Sequence, residues 1–140
     1  MKIKIAETCE EKKQAFHIRT AVFVHEQHVP KEEELDEYDE TAIHMIGYQN
    51  NQPVAASRLR FIDDYGKLER ICVLKEHRGK YYGQQMIRFM EKVIIDQSYK
   101  KAILNAQTHA ENFYGQLGYH TISDEFLDAG IPHVTMTKNL

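Results

Sequence analysis

Cysteine and proline are scarce in this chain of 140 residues, which has two cysteines and three prolines. Cys9 and Cys72 form neither a CxxC motif nor a series of regularly spaced pairs. This excludes a disulfide framework and the common cysteine zinc motifs. The sequence therefore predicts no metal site and a reducing compartment, which we take to be the cytoplasm.

An excess of positive charge is also lacking. A net charge of −3 and a pI near 6.2 give no electrostatic basis for binding the phosphate backbone of a nucleic acid. No segment is apolar over the length needed to cross a bilayer. Residues 1–5 alternate charged and apolar side chains and lack the continuous apolar core of a signal peptide. We expect neither nucleic acid nor a membrane as a partner.

The composition is that of a folded globular protein, with 42% hydrophobic and 28% charged residues. A chain of this length is too short to build two comfortable hydrophobic cores. The sequence therefore predicts a single domain over residues 1–140.

Hydrophobic periodicity predicts alternating strands and helices. Ile3 and Ile5 lie on one face of a short strand, and a capping box at Thr8 to Glu11 opens a helix that is expected to run to about His25. The later elements are expected as antiparallel strands at 42–49, 54–62 and 68–73, a helix at 84–95, a strand at 102–106, a helix at 110–117, and closing strands at 119–123 and 133–137. The acidic stretch 31–40 is expected as a solvated loop or short helix, and 126–132 as a loop. Strands 68–73 and 102–106 flank a helix and should therefore be parallel.

The most informative segment is the loop that joins strand 68–73 to helix 84–95. A Gly-containing loop before a helix offers unpaired backbone N–H groups to phosphate oxygens, and Arg78 and Lys80 add positive charge. The alternative is that Gly79 only makes a turn and that both cations are solvated. The consensus patterns GxxxxGK[ST] and GxGxxG are absent, which disfavours ordinary nucleotide sites. The pattern predicts a site for a diphosphate.

This loop resembles the pyrophosphate loop of the GNAT family, the acetyl-CoA-dependent N-acetyltransferases, which reads Arg/Gln-x-x-Gly-x-Gly/Ala after a strand. The pattern falls on Arg78, Tyr81 and Gly83, so that Tyr81 stands where the family has its first glycine. Glycine is needed there only for a positive φ or a very close approach of the ligand. We therefore expect Tyr81 to be tolerated at a negative φ and strained at a positive one.

Other segments extend the resemblance over nearly the whole chain. Residues 112–119 resemble the late GNAT segment, in which an aromatic-Tyr pair on a helix precedes a Gly-aromatic pair that opens the next strand. Residues 22–27, the cluster of Glu34, Asp36 and Asp39, His44, and residues 128–133 resemble small bacterial GNAT proteins of the YjcF and ElaA type. The resemblance implies an α/β fold with a mixed, mostly antiparallel sheet of about seven strands flanked by helices, in which strands 68–73 and 102–106 splay apart to admit the cofactor.

The resemblance also implies acetyl-CoA as the cosubstrate and an amine, on a small molecule or a protein, as the acceptor. The backbone near Val73 would pair with the pantetheine arm and hold the oxyanion. The residues expected to contact coenzyme A are Ile71, Cys72, Val73, Arg78, Gly79, Lys80, Tyr81, Tyr82, Gly83, Gln84, Asn105, Asn112 and Phe113.

Two residues are expected to carry the chemistry. Tyr114 would be the general acid that protonates the coenzyme A thiolate, the alternative being a ring that only packs against the core. Glu69 would be the base that accepts a proton from the amine, the alternative being a cross-strand ion pair with Arg58 or Arg60.

Histidines and a cysteine offer further alternatives. His44 and His109 are rivals for the base, because imidazole titrates near neutrality. His133, which follows Pro132, is expected as a residue that lines the acceptor cleft. Cys72 is expected to fill core space as a small hydrophobe, which disfavours an acetyl-cysteine intermediate.

The sequence does not distinguish between aminosugars, polyamines, amino acids and protein amines as the acceptor. The acidic run 32–40 would either attract a cationic acceptor or form a solvated face. Gln27, Glu33 and Arg58 are further candidates to face it. An alternative function is a non-catalytic acyl-CoA sensor, and the chain could also act only as a homodimer.

Overall fold

The computed structural model describes residues 1–140, and all eight strands belong to one mixed sheet. The strands are β1 Lys2–Ile5, β2 Ile43–Gln49, β3 Gln52–Ile62, β4 Tyr65–Val73, β5 Lys101–Gln107, β6 His120–Thr121, β7 Phe126–Asp128 and β8 Ile131–Asn139. Their order in the sheet is β1-β2-β3-β4-β5-β8-β6, with β7 paired to β8. The α-helices are α1 Cys9–Arg19, α2 Lys31–Glu34, α3 Tyr82–Asp96 and α4 Glu111–Gln116. Short 3-10 turns cover Glu37–Glu40, Lys75–His77 and Thr108–Ala110. No helix has the length and apolar character that a transmembrane span requires.

The first helix begins as its sequence predicts and continues in an unexpected form. The Thr8 side chain accepts from the Glu11 backbone N–H, and the Glu11 side chain accepts from the Thr8 N–H, which completes the capping box. The chain stays helical to Glu26, close to the expected end at His25. Its last seven residues, Thr20–Glu26, form a π-helix, which we call the π segment. Such wide turns are rare and occur frequently at functional sites.

Strands β2, β3 and β4 form the antiparallel series that the sequence predicts. Asn50 and Asn51 connect β2 to β3 with φ values of 52° and 64°. Positive φ at both central positions is the geometry of the two-residue hairpin turn, and asparagine tolerates it well. This turn fixes the register of β2 on β3, which places His44 opposite Arg58.

Strands β4 and β5 are parallel neighbours over only four residue pairs. The pairing runs from Tyr65 with Lys101 to Leu68 with Leu104 and stops there. Beyond that point β4 continues on β3 as far as Val73, and β5 continues on β8 as far as Gln107. The two strands therefore diverge while each keeps its other partner, and an opening forms in the middle of the sheet.

Helices cover both faces of this sheet. The larger apolar cluster packs α3 against one face through Met86, Met90 and Ile94. A Cβ on Gly66 of β4 would collide with Ile94, so only glycine lets α3 pack this closely. The smaller cluster packs α1 and the π segment against the other face, where Cys72 lies. The opening between β4 and β5 thus has a helical layer on each side.

Two segments differ from their expected structure. Residues 126–132 were expected as a loop, but Phe126–Asp128 forms β7 and pairs with the start of β8. Residues Ala129 and Gly130, with φ values of 52° and 75°, make the tight turn between them. The second segment is the acidic stretch. It contains α2, in agreement with the expected short helix, but it is not simply solvated, because buried arginines hold it against the sheet, as described below.

Candidate active site

A cavity of about 590 Å³ lies where β4 and β5 diverge. We call it the cleft. One wall comes from Phe23 and Gln27 at the end of the π segment, and another from the acidic stretch. A third wall, at the break in the sheet, is formed by residues 68–71 of β4 and by Leu104, Asn105 and Gln107 of β5, while Tyr114, Ala129 and His133 close the remaining side. Residues far apart in sequence therefore meet at the break in the sheet.

The N-terminus of α3, which follows β4 in the chain, presents backbone N–H groups without partners. Tyr81 caps the helix without any side-chain hydrogen bond, and the first bond of the helix runs from the Gln85 N–H to the Tyr81 carbonyl. The N–H groups of residues 82–84 therefore have no partner within the helix. A Cβ on Gly79 would meet no atom within 4 Å, and one on Gly83 would find only Phe113, at 3.8 Å. The loop and first helical turn leave room for a diphosphate beside unpaired donors.

Tyr81 has a left-handed backbone conformation, which glycine adopts far more readily than other residues. Its φ is 65° and its ψ is 17°, in the left-handed region, and 77% of its surface is exposed. The side chain projects into solvent, so no packing compensates for the backbone conformation. Of the two conformations considered for Tyr81, the structure therefore has the strained one with a positive φ.

Arg78 points away from the helix N-terminus. Its Nη1 and Nη2 each lie 2.6 Å from a carboxylate oxygen of Glu26, and its Nε donates to the Val73 carbonyl at 3.0 Å. This guanidinium lowers the pKa of Glu26. Arg78 therefore ties the loop to the π segment and to β4. Lys80 is exposed and forms no ion pair, so its ammonium group is free.

The segment Ile71 to Val73 follows a bulge in β4. The pairing with β3 is irregular between Ala56 and Arg58, and Arg70 opposite has a φ of 55°. The Cys72 side chain points into the α1 face, with Sγ 3.6 Å from the Ala56 carbonyl. Burial raises the pKa of this thiol to about 12. Cys72 is an inert core residue, as expected, and only its backbone could meet a ligand.

Tyr114 of α4 lies in the cleft with a free hydroxyl. Its ring is half-buried, packs edge-to-face with Phe113 and Tyr119, and reaches the main core cluster. No protein group hydrogen-bonds the hydroxyl, and desolvation raises the pKa of Tyr114 to about 12. The phenol is therefore fully protonated at neutral pH, as a proton donor must be.

Glu69 lies in the cleft wall but is surrounded by cations. Arg60 Nε lies 2.7 Å and Arg58 Nη2 2.9 Å from Oε1, while Lys67 Nζ lies 3.3 Å from Oε2. Although burial opposes ionisation, hydrogen bonding to Arg60 and the charges of Arg58 and Lys67 lower the pKa of Glu69 to about 2. The cross-strand ion pair considered as the alternative is present, and a carboxylate this acidic accepts protons poorly.

Buried arginines hold the acidic stretch in place, so it is only partly solvated. Arg19 bonds Glu34 and Asp39, each at 2.7 Å, and Arg58 bonds Asp36 at 2.7 Å and Asp39 at 3.0 Å. Both arginines are almost fully buried. The contacts with Arg19 and Arg58 lower the pKa of Asp39 despite its burial. The roles of Arg19 and of Arg70, which bonds the Glu34 carbonyl, were not expected from sequence spacing.

The three candidate histidines occupy different environments. His44 is buried outside the cleft with Nε2 on the Asp39 carbonyl, and desolvation lowers its pKa. His109 lies in the cleft with Nε2 2.7 Å from Gln107 Oε1. His133 lies in the cleft and is 9% exposed.

The remaining expected contact residues lie around the loop and in the cleft. Asn105 lies in the cleft, where its side chain accepts from Thr135 at 2.9 Å. Phe113 lies beside Gly83, Asn112 is exposed on α4, Gln84 is half-buried in α3 and Tyr82 is buried in the core. Gln27 and Glu33 both line the cleft, whereas Arg58 lies beneath its wall.

Comparison with known proteins assigns this architecture to the acyltransferases. Residues 5–140 match the family model described as an acetyltransferase (GNAT) domain. The uncharacterised N-acetyltransferase YjcF of Bacillus subtilis (strain 168) is 49% identical over 140 residues, which cover 99% of this chain and 100% of YjcF. Protein ElaA of Escherichia coli (strain K12) is 32% identical over 129 residues, which cover 88% of this chain and 84% of ElaA. The crystal structure of E. coli ElaA matches with a TM-score of 0.86 at 28% identity, with 99% of both chains covered.

This chain belongs to the GNAT family of acetyltransferases and resembles the YjcF and ElaA type within it. The expected α/β fold and the acyltransferase class are confirmed. A GNAT acetyltransferase from Elizabethkingia anophelis with acetyl-CoA bound shares the fold at a TM-score of 0.74, with 14% identity over 99% of this chain and 97% of that one.

Proposed function

We propose that this protein is an acetyl-CoA-dependent N-acetyltransferase that moves an acetyl group directly to a primary amine. The observation that carries the proposal is the cleft at the divergence of β4 and β5, which has the uncapped N-terminus of α3 beside it and Tyr114 inside it. Anion binding at one end and a proton donor at the other are what an acyl-CoA reaction needs.

Coenzyme A would bind from the loop into the break in the sheet. The donors at the start of α3, with Gly79, Lys80, Tyr81, Tyr82, Gly83 and Gln84, would hold the diphosphate. The open backbone edge of Ile71, Cys72 and Val73 would pair with the pantetheine arm. Arg78 would act indirectly, since its guanidinium is already bonded to Glu26 and the Val73 carbonyl. Asn105, Asn112 and Phe113 would contact the arm from β5 and α4.

Transfer would proceed through a tetrahedral intermediate. The amine nitrogen attacks the thioester carbon, and a backbone N–H near Val73 stabilises the oxyanion. Tyr114 gives its proton to the sulfur as the C–S bond breaks. Glu69 would supply a permanently ionised carboxylate in the cleft wall, because its three cationic neighbours hold its pKa low.

The charge of the cleft favours a cationic acceptor. Its lysine and its arginine, Lys67 and Arg70, are both paired with carboxylates. Glu32, Glu33 and Asp128 also line it and form no ion pair. The unbalanced charge is therefore negative, which attracts ammonium groups and repels phosphorylated acceptors.

Turnover distinguishes this function from the alternative, an acyl-CoA sensor. Free thiol released from acetyl-CoA would be measured with a panel of diamines, amino acids, aminosugars and a lysine peptide, and the products would be weighed by mass spectrometry. We expect thiol release with an equal amount of acetylated amine. Thermal stabilisation by acetyl-CoA without release for any amine would identify a sensor. Equal stabilisation by acetyl-CoA, NAD and ATP would contradict the assigned diphosphate site.

A further inference from the structure

The structure points to a base for this reaction other than Glu69. We propose that His133 is the catalytic base that takes a proton from the acceptor ammonium. This inference rests on the proposed N-acetyltransferase function. Its support comes from the position of the ring in the fold, from its hydrogen bonding and from the state of each competing group in the cleft.

The fold brings His133 to the open end of the sheet. It lies near the start of β8 and pairs in register with Gln107, the last residue of β5. The ring lines the same cleft as Tyr114, although only 9% of the residue is exposed. Phe126 of β7 stacks against it, with ring centroids 6.1 Å apart and planes 25° apart. The β7–β8 hairpin, in which residues 126–132 were expected as a loop, is therefore what orients this side chain.

Hydrogen bonding fixes which nitrogen of His133 can act. Nδ1 lies 2.6 Å from the Ile131 carbonyl oxygen. A carbonyl only accepts, so Nδ1 carries the proton and Nε2 of the neutral ring carries the lone pair. Nε2 has no protein partner, and it is not among the buried polar atoms that are sealed from solvent. A buried imidazole thus presents one free acceptor nitrogen in the cleft.

The other ionisable groups of the cleft are less suited to this step. Glu69 is neutralised by three cations. His109 also has one bonded nitrogen, Nε2 on the Gln107 side-chain oxygen, but its ring is exposed and is held by a side chain, whereas the His133 ring is buried and is held by a backbone carbonyl. Asp128 of β7 and the acidic stretch supply only carboxylates at the cleft surface, which as a class are weak bases. Tyr114 is fully protonated at neutral pH.

The proton balance uses His133 and Tyr114 once each. The acceptor ammonium gives one proton to Nε2 of His133, and the free amine attacks the thioester carbon. The C–N bond forms, the C–S bond breaks, and the Tyr114 hydroxyl protonates the leaving thiolate. The second proton lost by nitrogen restores Tyr114, and the first leaves His133 to solvent. Ammonium and acetyl-CoA thus become amide, coenzyme A thiol and one proton.

Substitution of His133 by asparagine removes the basic nitrogen and keeps a donor for the hydrogen bond to the Ile131 carbonyl. In His133→Asn the amide N–H can still bond the Ile131 carbonyl, while nothing replaces Nε2. With the most active amine of the panel, we expect kcat to fall by roughly 10²–10⁴-fold and the Kd for acetyl-CoA to stay within about twofold. The matched control is His120→Asn, at an exposed position of β6 outside the cleft, which should leave kcat unchanged.

The pH profile separates a base from a structural residue. In His133→Asn, turnover should rise about tenfold per pH unit below the pKa of the amine, because only the free amine fraction reacts. The turnover of the parent should reach its plateau at a lower pH than the turnover of the variant. Profiles of the same shape, or a kcat within about threefold of the parent, would overturn the proposal while leaving the proposed function intact. A parent that acetylates no amine would instead overturn the function itself.

An NMR measurement in the absence of the acceptor amine also tests the assignment of His133 as the base. In ¹⁵N-labelled protein, the ring signals missing from His133→Asn belong to His133. For the neutral ring we expect a protonated Nδ1 and a bare Nε2. The opposite tautomer would overturn the proposal.

Discussion

Glu69→Gln tests how the cleft wall is held together. The carboxylate of Glu69 bonds Arg58 and Arg60 and lies 3.3 Å from Lys67. The amide keeps the shape of the side chain and removes its charge. Arg58 is 1% exposed and would retain Asp36 and Asp39 as counter-ions. We therefore expect a folded but weaker protein.

The expected loss follows from the pKa of Glu69. Its folded value is about 2 against an ordinary value of 4.5, and each pKa unit corresponds to about 1.4 kcal/mol. Ionised Glu69 therefore contributes roughly 3 kcal/mol to the free energy of unfolding. Because the pKa is lowered, this contribution is fully present above about pH 4.5 and is lost as the pH falls toward 2. The variant should lack it at every pH.

Urea unfolding followed by circular dichroism measures this difference. At pH 7 the variant should be less stable than the parent by roughly 3 kcal/mol, and the gap should close on acidification toward pH 2. Glu37→Gln, at an exposed position without an ion pair, is the control and should change little. A gap below about 1 kcal/mol at pH 7, or one that persists unchanged in acid, would refute the reasoning.

Two further predictions concern the loop before α3. Gly83→Val should raise the Kd for acetyl-CoA by at least about tenfold in isothermal titration, because a Cβ there has room in the protein but would crowd a bound diphosphate; an unchanged Kd would mean that the diphosphate lies elsewhere. Tyr81→Gly should raise the free energy of unfolding by up to about 1 kcal/mol, since it relieves a left-handed conformation and removes no packing. Lower stability in urea would contradict that account.

The sequence predicted the features that depend on local pattern. The capping box at Thr8, the three antiparallel strands and the amphipathic helix after residue 81 all occur close to their expected bounds. The parallel pair of β4 and β5 also followed, because a strand, helix and strand in succession favour that arrangement. These elements locate the cleft.

The sequence could not predict the contacts that join distant residues. Arg19 and Asp39 are 20 positions apart, and charge spacing alone does not reveal that a buried guanidinium holds that carboxylate. The acidic stretch therefore read as solvated. Likewise, nothing in the sequence around Arg78 indicates Glu26, 52 positions away, as its partner.

The role of His133 illustrates the same limit at the candidate site. In sequence it is one of eight histidines. Its distinguishing features are the Ile131 carbonyl at Nδ1 and the absence of a partner at Nε2, both set by the β7–β8 hairpin. Periodicity does not encode a ring tautomer.

The most direct test of acetyl transfer in this cleft is the turnover of Tyr114→Phe with acetyl-CoA and the best amine. Phenylalanine keeps the ring packing against Phe113 and Tyr119 and removes only the hydroxyl proton. We predict that kcat falls by roughly 10²–10⁴-fold while the Kd for acetyl-CoA changes little. Turnover within about threefold of the parent, less than about 1 kcal/mol of barrier, would contradict the assignment of Tyr114 as the proton donor.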